Sequence, residues 1–132
     1  MILGELEKRV LVYLWEQPEA DAKQVHAALT QRQGGTLNTI QSTLDRLFRK
    51  NLLARTKKGH AYCYRPRIDR EGLIAQLIQD VTCDFIHKGE DSFVAAFSSV
   101  SARLDDERLS QLEALIQQQR QRRRQEDPDA DQ

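Results

Sequence analysis

Residues 36–66 decide the fold, and they read TLNTIQSTLDRLFRKNLLARTKKGHAYCYRP. The first part predicts a helix over 37–50, because its apolar residues recur at a spacing that places them on one helical face. Those residues are Ile40, Leu44, Leu47 and Phe48. Thr36 is suited to cap the start of this helix, and Asn51 tolerates the left-handed backbone conformation that often follows a helix end.

A basic β-hairpin is predicted directly after this helix. Segments 52–56 and 61–65 have the composition of short strands. The connection over 57–60 contains Gly59, which a tight loop requires. Pro66 then ends the second strand.

Two amphipathic helices are predicted before this stretch, over 3–16 and 22–31, with Pro18 ending the first and Asp21 capping the second. Three helices followed by a basic hairpin is the element order of a winged helix-turn-helix domain, which we assign to residues 1–68. The predicted fold class is therefore mainly α with a small β-hairpin wing.

The remainder of the chain is predicted to form a second, helical domain over residues 69–120. Helices are expected over 70–88 and 91–101, and a last one starts near 105–107, where acidic residues favour a helix N-terminus. The apolar face of the first of these helices is wide for a lone helix. Residues 121–132 are predicted to be a disordered tail.

Charge is segregated along the chain, although 20 basic and 20 acidic side chains sum to zero. Residues 32–67 hold nine basic groups and a single acid, Asp45, so the net charge of this stretch is +8. From residue 69 onward, 14 acidic groups outnumber 8 basic ones. A basic stripe on a helix and a hairpin is typical of a protein that binds the phosphate backbone of nucleic acid.

The exposed side of the helix over 37–50 carries the candidates for reading DNA bases. A recognition helix enters the major groove with its N-terminal residues nearest the base edges. Asn and Gln can bind adenine through paired hydrogen bonds, and Ser or Thr can contact several bases. The predicted base-reading residues are Asn38, Thr39, Gln41 and Ser42.

Basic residues further along the helix and on the hairpin are predicted to contact the sugar–phosphate backbone. On the helix these are Arg46 and Arg49, for which a simple Asp45–Arg49 ion pair is the alternative. Basic residues on an edge hairpin can also serve only to keep it soluble. The candidates on the hairpin are Arg55, Lys57, Lys58 and His60.

The sequence contains no pattern of an enzyme, a cofactor site or a metal site. Cys63, Cys83, His60 and His87 include metal-ligand types but lack ligand spacing, and the two cysteines form no CxxC motif. No segment reaches the roughly 18–20 apolar residues of a membrane span, and no secretory signal is recognisable. We therefore expect a cytoplasmic protein that is not an enzyme and has no cofactor, metal or membrane partner.

Several motifs resemble the penicillinase-repressor family, the group that contains BlaI, MecI and the copper-responsive CopY. The resemblance is carried by LE at 6–7, LWE at 14–16, NTIQSTLDRL at 38–47, KNLL at 50–53 and GHAYCYRP at 59–66. It covers residues 3–68 well and the helical remainder loosely. Asn51 stands where the family usually has glycine, and both residues tolerate positive φ.

The resemblance implies a homodimeric transcriptional repressor that binds the two halves of a palindromic operator in double-stranded DNA. Its C-terminal helices would form the dimer interface, in agreement with an apolar face that needs a partner surface. The residues predicted at this interface are Leu73, Leu77, Val81, Phe85, Phe93, Phe97 and Leu112.

The chain departs from two properties of the family. Penicillinase repressors are inactivated by proteolysis at an Asn-Phe bond, whereas here Ala96 precedes Phe97, so an inactivating protease is left open as a partner. The copper repressors carry Cys-x-Cys motifs at the C-terminus, and no cysteine follows Cys83.

Two other functions stay open at this point. Some winged helices bind proteins through the same helix and wing, and such a module would not lose affinity steeply with salt. A regulator that senses redox state or metal through Cys63 and Cys83 is the second alternative.

Overall fold

A computed structural model describes residues 1–29, 35–85 and 91–126, and the chain divides into two compact units, Met1–Val81 and Thr82–Gln132. The elements are α1 (Glu5–Glu16), β1 (Ala20–Asp21), α2 (Ala22–Leu29), α3 (Leu37–Arg49), β2 (Leu53–Lys58), β3 (Ala61–Pro66), α4 (Arg70–Phe85), α5 (Asp91–Ser101) and α6 (Asp106–Glu126). The predicted fold class is confirmed, since helices dominate and the strands form one small antiparallel sheet.

The ends of the helices in the first unit follow from local hydrogen bonds. Asp21 and Gln24 cap α2 reciprocally. The Asp21 backbone N–H donates to the Gln24 side chain at 2.9 Å, and the Gln24 backbone N–H donates to the Asp21 side chain at 2.8 Å. The Thr36 hydroxyl oxygen accepts from the backbone N–H of Thr39 at 3.1 Å and caps α3. Asn51 has a φ of 64°, so it takes the left-handed conformation that ends α3.

The sheet has three strands in the order β1-β3-β2, one more than the sequence predicts. The additional strand β1 pairs its Ala20 with Tyr64 of β3. In the hairpin Lys58 pairs with Ala61, so the loop is two residues long rather than the predicted four. Gly59, with a φ of 65°, makes this short loop possible, and Lys57 and Lys58 therefore belong to β2.

The apolar faces of all four helices and the sheet of the first unit meet in one core. Its buried hydrophobic residues are Val10, Leu11, Leu14, Ala20, Val25, Ile40, Leu44, Leu47, Leu52, Leu53, Tyr64 and Leu73. The Trp15 indole N–H donates to the carbonyl oxygen of Ile68 at 2.9 Å and ties α1 to the segment just before α4.

Helix α4 up to Val81 belongs with the first unit, which contains the hairpin wing and is called the winged unit below. The sequence instead assigns this helix to the second domain from residue 69. The sequence also predicts Leu73 at the dimer interface, whereas the structure buries Leu73 in the core of its own unit. Leu77 packs against the same core. The cause is that α4 has two apolar faces, and the face bearing Leu73 covers the winged unit.

The second unit buries none of its described side chains. Phe93 and Phe97 stack with their ring centres 6.0 Å apart on α5, and Leu112 on α6 is half-buried. Helix α6 continues to Glu126, so residues 121–126 are helical rather than part of a disordered tail. Residues 127–132 lie outside the described residues.

A partly buried ion pair joins α1 to the end of α3. The Lys50 ammonium donates to a Glu7 carboxylate oxygen at 2.7 Å, and the Glu7 side chain is only 10% exposed. Desolvation alone would raise the pKa of Glu7, but the hydrogen bond from Lys50 and one from the Gly4 backbone N–H outweigh it and lower the pKa below its ordinary value.

We expect Glu7→Gln to lower the free energy of unfolding at neutral pH by about 1–2 kcal/mol, because a charged hydrogen-bond partner of Lys50 is lost. A carboxyl whose pKa is lowered by folding stabilises the fold above its unfolded pKa, and this stabilisation disappears as the pH falls through the folded pKa. The difference between variant and wild type should therefore shrink in acid.

Chemical denaturation at neutral and acidic pH measures this effect. Glu5→Gln is the matched control, because Glu5 is highly exposed on the same helix. A Glu7→Gln variant as stable as wild type at neutral pH would show that the pair contributes nothing.

Candidate nucleic-acid interface

Helix α3 has one face in the core and one in solvent. Ile40, Thr43, Leu44 and Leu47 are buried. All four predicted base-reading residues are exposed on the other side and lie on the first two turns: Asn38, Thr39, Gln41 and Ser42. The helix thus presents donors and acceptors of the types that bind base edges, at the end that a recognition helix inserts.

Hydroxyl groups hold part of this exposed face in place. The Thr39 and Thr36 hydroxyls are 3.0 Å apart, and the Thr43 hydroxyl donates to the Thr39 carbonyl oxygen at 2.8 Å. Arg46 donates in turn to the Thr43 hydroxyl at 3.2 Å while its side chain stays exposed. Arg46 is therefore anchored at one N–H group and still lies on the solvent side of α3.

Asp45 binds two of the predicted backbone-contacting arginines at once. Its Oδ2 pairs with Arg49 at 2.9 Å, and its Oδ1 pairs with Arg55 at 3.2 Å. The first contact is the Asp45–Arg49 ion pair given above as the alternative to a phosphate contact. Arg49 remains highly exposed, whereas Arg55 is only 24% exposed. The single acid of the basic stretch therefore joins α3 to β2.

Arg55 makes further contacts within the protein. Its guanidinium lies 3.9 Å from the ring centre of Phe48 and 4.3 Å from that of Tyr62. Desolvation opposes the charge, but hydrogen bonding to Tyr64 and Asp45 raises the pKa of Arg55. The sequence pattern predicts that Phe48 lies on a helix and Tyr62 on a strand. No local pattern indicates that both rings contact an arginine.

The remaining wing residues differ in their surroundings. Lys58 pairs with Glu19 at 2.9 Å, and this hydrogen bond raises the pKa of Lys58. Lys57 and His60 are exposed, and within the described part of the chain neither side chain has an ion-pair partner. Glu19 was not among the residues that the sequence singles out, because its contact with the wing depends on β1 pairing with β3.

A groove of about 470 Å³ runs between α3, the start of α2 and the wing. Three predicted site residues line this groove together: Gln41, predicted to read bases, and Arg55 and His60, predicted to contact the DNA backbone. Asp45 and Tyr62 also line it. Asn38, Thr39, Ser42 and Lys57 do not line the groove. The surface can therefore offer both hydrogen-bonding groups and positive charge to one extended polar ligand.

Cys63 is half-buried on β3, Cys83 is exposed on α4, and neither forms a disulfide. Among residues 1–29, 35–85 and 91–126, no three His, Cys, Asp or Glu side chains gather as a metal site would need. Within the same residues no helix is long and apolar enough to cross a membrane. His87 lies outside the described residues.

Comparison with known proteins gives consistent matches. The chain matches the family described as Penicillinase repressor over residues 3–118. It is 35% identical over 91 residues to the transcriptional regulator BlaI of Mycobacterium tuberculosis, and this alignment covers 68% of this chain and 63% of that regulator. It is 23% identical over 122 residues to the penicillinase repressor of Bacillus licheniformis, which covers 92% of this chain and 94% of that repressor.

Among solved structures, the solution structure of the DNA-binding domain of the repressor BlaI aligns with a TM-score of 0.49 and 27% identity, over 53% of this chain and 85% of that domain. The chain spans 63% of the length of the M. tuberculosis regulator that it matches. The family match nevertheless covers most of this sequence and confirms the resemblance carried by its motifs. The chain belongs to the penicillinase repressor family.

Proposed function

We propose that this chain is a dimeric transcriptional repressor that acts in the cytoplasm and binds a palindromic operator in double-stranded DNA. One observation carries the proposal: α3 presents an exposed polar face beside a basic two-stranded wing. Family membership supports it, because relatives of this chain are named as a transcriptional regulator and a penicillinase repressor.

In this proposal the polar residues of α3 read bases and the basic residues hold the backbone. Gln41 and Asn38 are exposed near the start of α3, where they can reach base edges in the major groove. Arg46, Arg49, Lys57, Lys58 and His60 are exposed and supply positive charge for phosphates. Arg49 and Lys58 must exchange a carboxylate for a phosphate to do so.

The dimer is supported by apolar side chains that the monomer leaves in water. Val81 and Phe85 on α4 are 59% and 80% exposed, and Val94 and Val100 on α5 and Leu115 on α6 are also exposed. A second copy of the chain can cover such helices and is the usual partner for a self-complementary surface. Two copies would place two winged units on the two halves of a palindrome.

Inactivation by the family's proteolytic route is not part of this proposal. Ala96 and Phe97 lie on α5 in place of an Asn-Phe bond. A protease that requires asparagine before phenylalanine would not recognise this position, so release from DNA would need a different signal.

We expect Gln41→Ala to cost roughly 1–3 kcal/mol of binding free energy on the operator and much less on scrambled duplex, because a lost base contact matters only on the matching sequence. The operator is first obtained by selecting bound duplexes from a random pool with the full-length protein. The selected sequences should contain an inverted repeat.

Lys57→Ala is the matched control for this experiment, because it removes an exposed charge and no base-reading group. It should weaken operator and scrambled duplex by similar factors. Equal weakening of both duplexes by Gln41→Ala would exclude α3 as the reading element, and a pool without an inverted repeat would contradict the palindrome.

A further inference from the structure

We propose that Arg55 is a positioning residue that holds the wing against the recognition helix, rather than the phosphate contact that its charge and place on the wing suggest. The consequence for DNA affinity rests on the proposed function. The mechanical role itself does not depend on it, because every contact involved lies within the first unit.

The contacts of Arg55 join three elements. Arg55 lies on β2, Asp45 and Phe48 lie on α3, and Tyr62 lies on β3. The guanidinium carbon is 3.9 Å from the Phe48 ring centre and 4.3 Å from the Tyr62 ring centre. Its Nη1 donates to Asp45 Oδ1 at 3.2 Å. One side chain therefore connects the helix to both strands of the wing.

The chemistry of this arrangement suits arginine and no other cation. A planar guanidinium can lie over aromatic faces while its N–H edge binds a carboxylate, whereas the ammonium of lysine is a compact, strongly hydrated charge. To reach a phosphate, Arg55 would have to leave both rings and its carboxylate. Since its side chain is only 24% exposed, this movement would also uncover part of the wing.

Lys57 offers the contrast on the same strand. It lies two residues further along β2, is exposed, and has no ion-pair partner among the described residues. Of these two cations on β2, Lys57 is thus the one available to a phosphate. The two positions provide a matched pair for separating charge from positioning.

The first test measures amide hydrogen exchange of the free full-length protein. Arg55→Lys keeps the charge but loses the stacking, so the β2 and β3 amides should exchange about tenfold faster if each ring contact has the strength typical of exposed cation–π pairs. Tyr62→Leu, which removes one ring, should accelerate the same amides. Lys57→Met should leave them at the wild-type rate.

The second test measures duplex binding against salt. Arg55→Lys should weaken operator binding without changing the slope of log affinity against log salt, whereas Lys57→Met should make the slope shallower by about 0.9 per subunit. If the amides of Arg55→Lys exchange at the wild-type rate and the variant binds the operator with wild-type affinity, the proposal is overturned. A wild-type protein that binds no duplex would refute the proposed function, while the exchange rates would still decide the role of Arg55.

Discussion

Affinity for duplex DNA is expected to fall by about 10⁴-fold between roughly 50 and 200 mM salt, if each subunit neutralises about four phosphates. The corresponding slope of log affinity against log salt is about −7, because each contact releases bound counterions. In the proposed complex these contacts would come from exposed basic groups on α3 and the wing: Arg46, Arg49, Lys57 and Lys58. Fluorescence anisotropy of a labelled operator across a salt series measures the slope.

The salt series also discriminates between the two kinds of winged helix. A module that docks a protein through apolar contacts would show a slope near zero. Such a slope would refute the proposal that this protein binds DNA. The double variant Arg46→Ala, Lys57→Ala should have a shallower slope by about 1.8 per subunit. Glu5→Gln, which changes a charge on α1 outside the candidate interface, should leave the slope unchanged.

The replacement Val81→Asp is expected to weaken operator binding by about 10²–10⁴-fold, because separate subunits lose the high effective concentration that linkage provides. Val81 is suited to this test because it is 59% exposed at the end of the first unit, so we expect the monomer to tolerate aspartate there. A carboxylate that must be buried against a partner is strongly unfavourable. Analytical ultracentrifugation reports the loss of dimer.

Val12→Asp is the matched control, since Val12 is an exposed valine on α1. It should change neither the dimer nor the operator affinity, and circular dichroism should show a folded winged unit in both variants. A Val81→Asp protein that stays as dimeric as wild type would remove α4 from the interface. Leu77 is less suitable, because it packs against the core of its own unit.

Features that depend on neighbouring residues could be predicted from the sequence. The Thr36 cap and the positive φ of Asn51 follow from the chemistry of single residues at the ends of an apolar stripe. The exposed polar face of α3 follows from helical periodicity. The four candidate base readers therefore lie on the side of the helix that the sequence indicates.

Features that depend on distant residues could not be predicted in this way. Strand β1 has two residues and no periodicity of its own, and it exists because β3 offers it an edge. Leu73 has the same pattern as a dimerising residue, but its position against the winged core is set by tertiary packing. Likewise, nothing local distinguishes the enclosed Arg55 from the exposed Lys57.

Helices α5 and α6 bury none of their described side chains, and under the proposed dimer this would have a consequence for gene dosage. If two copies must meet before these helices are covered, folding of this region is tied to the amount of protein in the cell. At low expression the number of dimers grows with the square of the number of monomers. Repression would then switch on over a narrow range of expression, and the copy number of the gene would help to set that threshold.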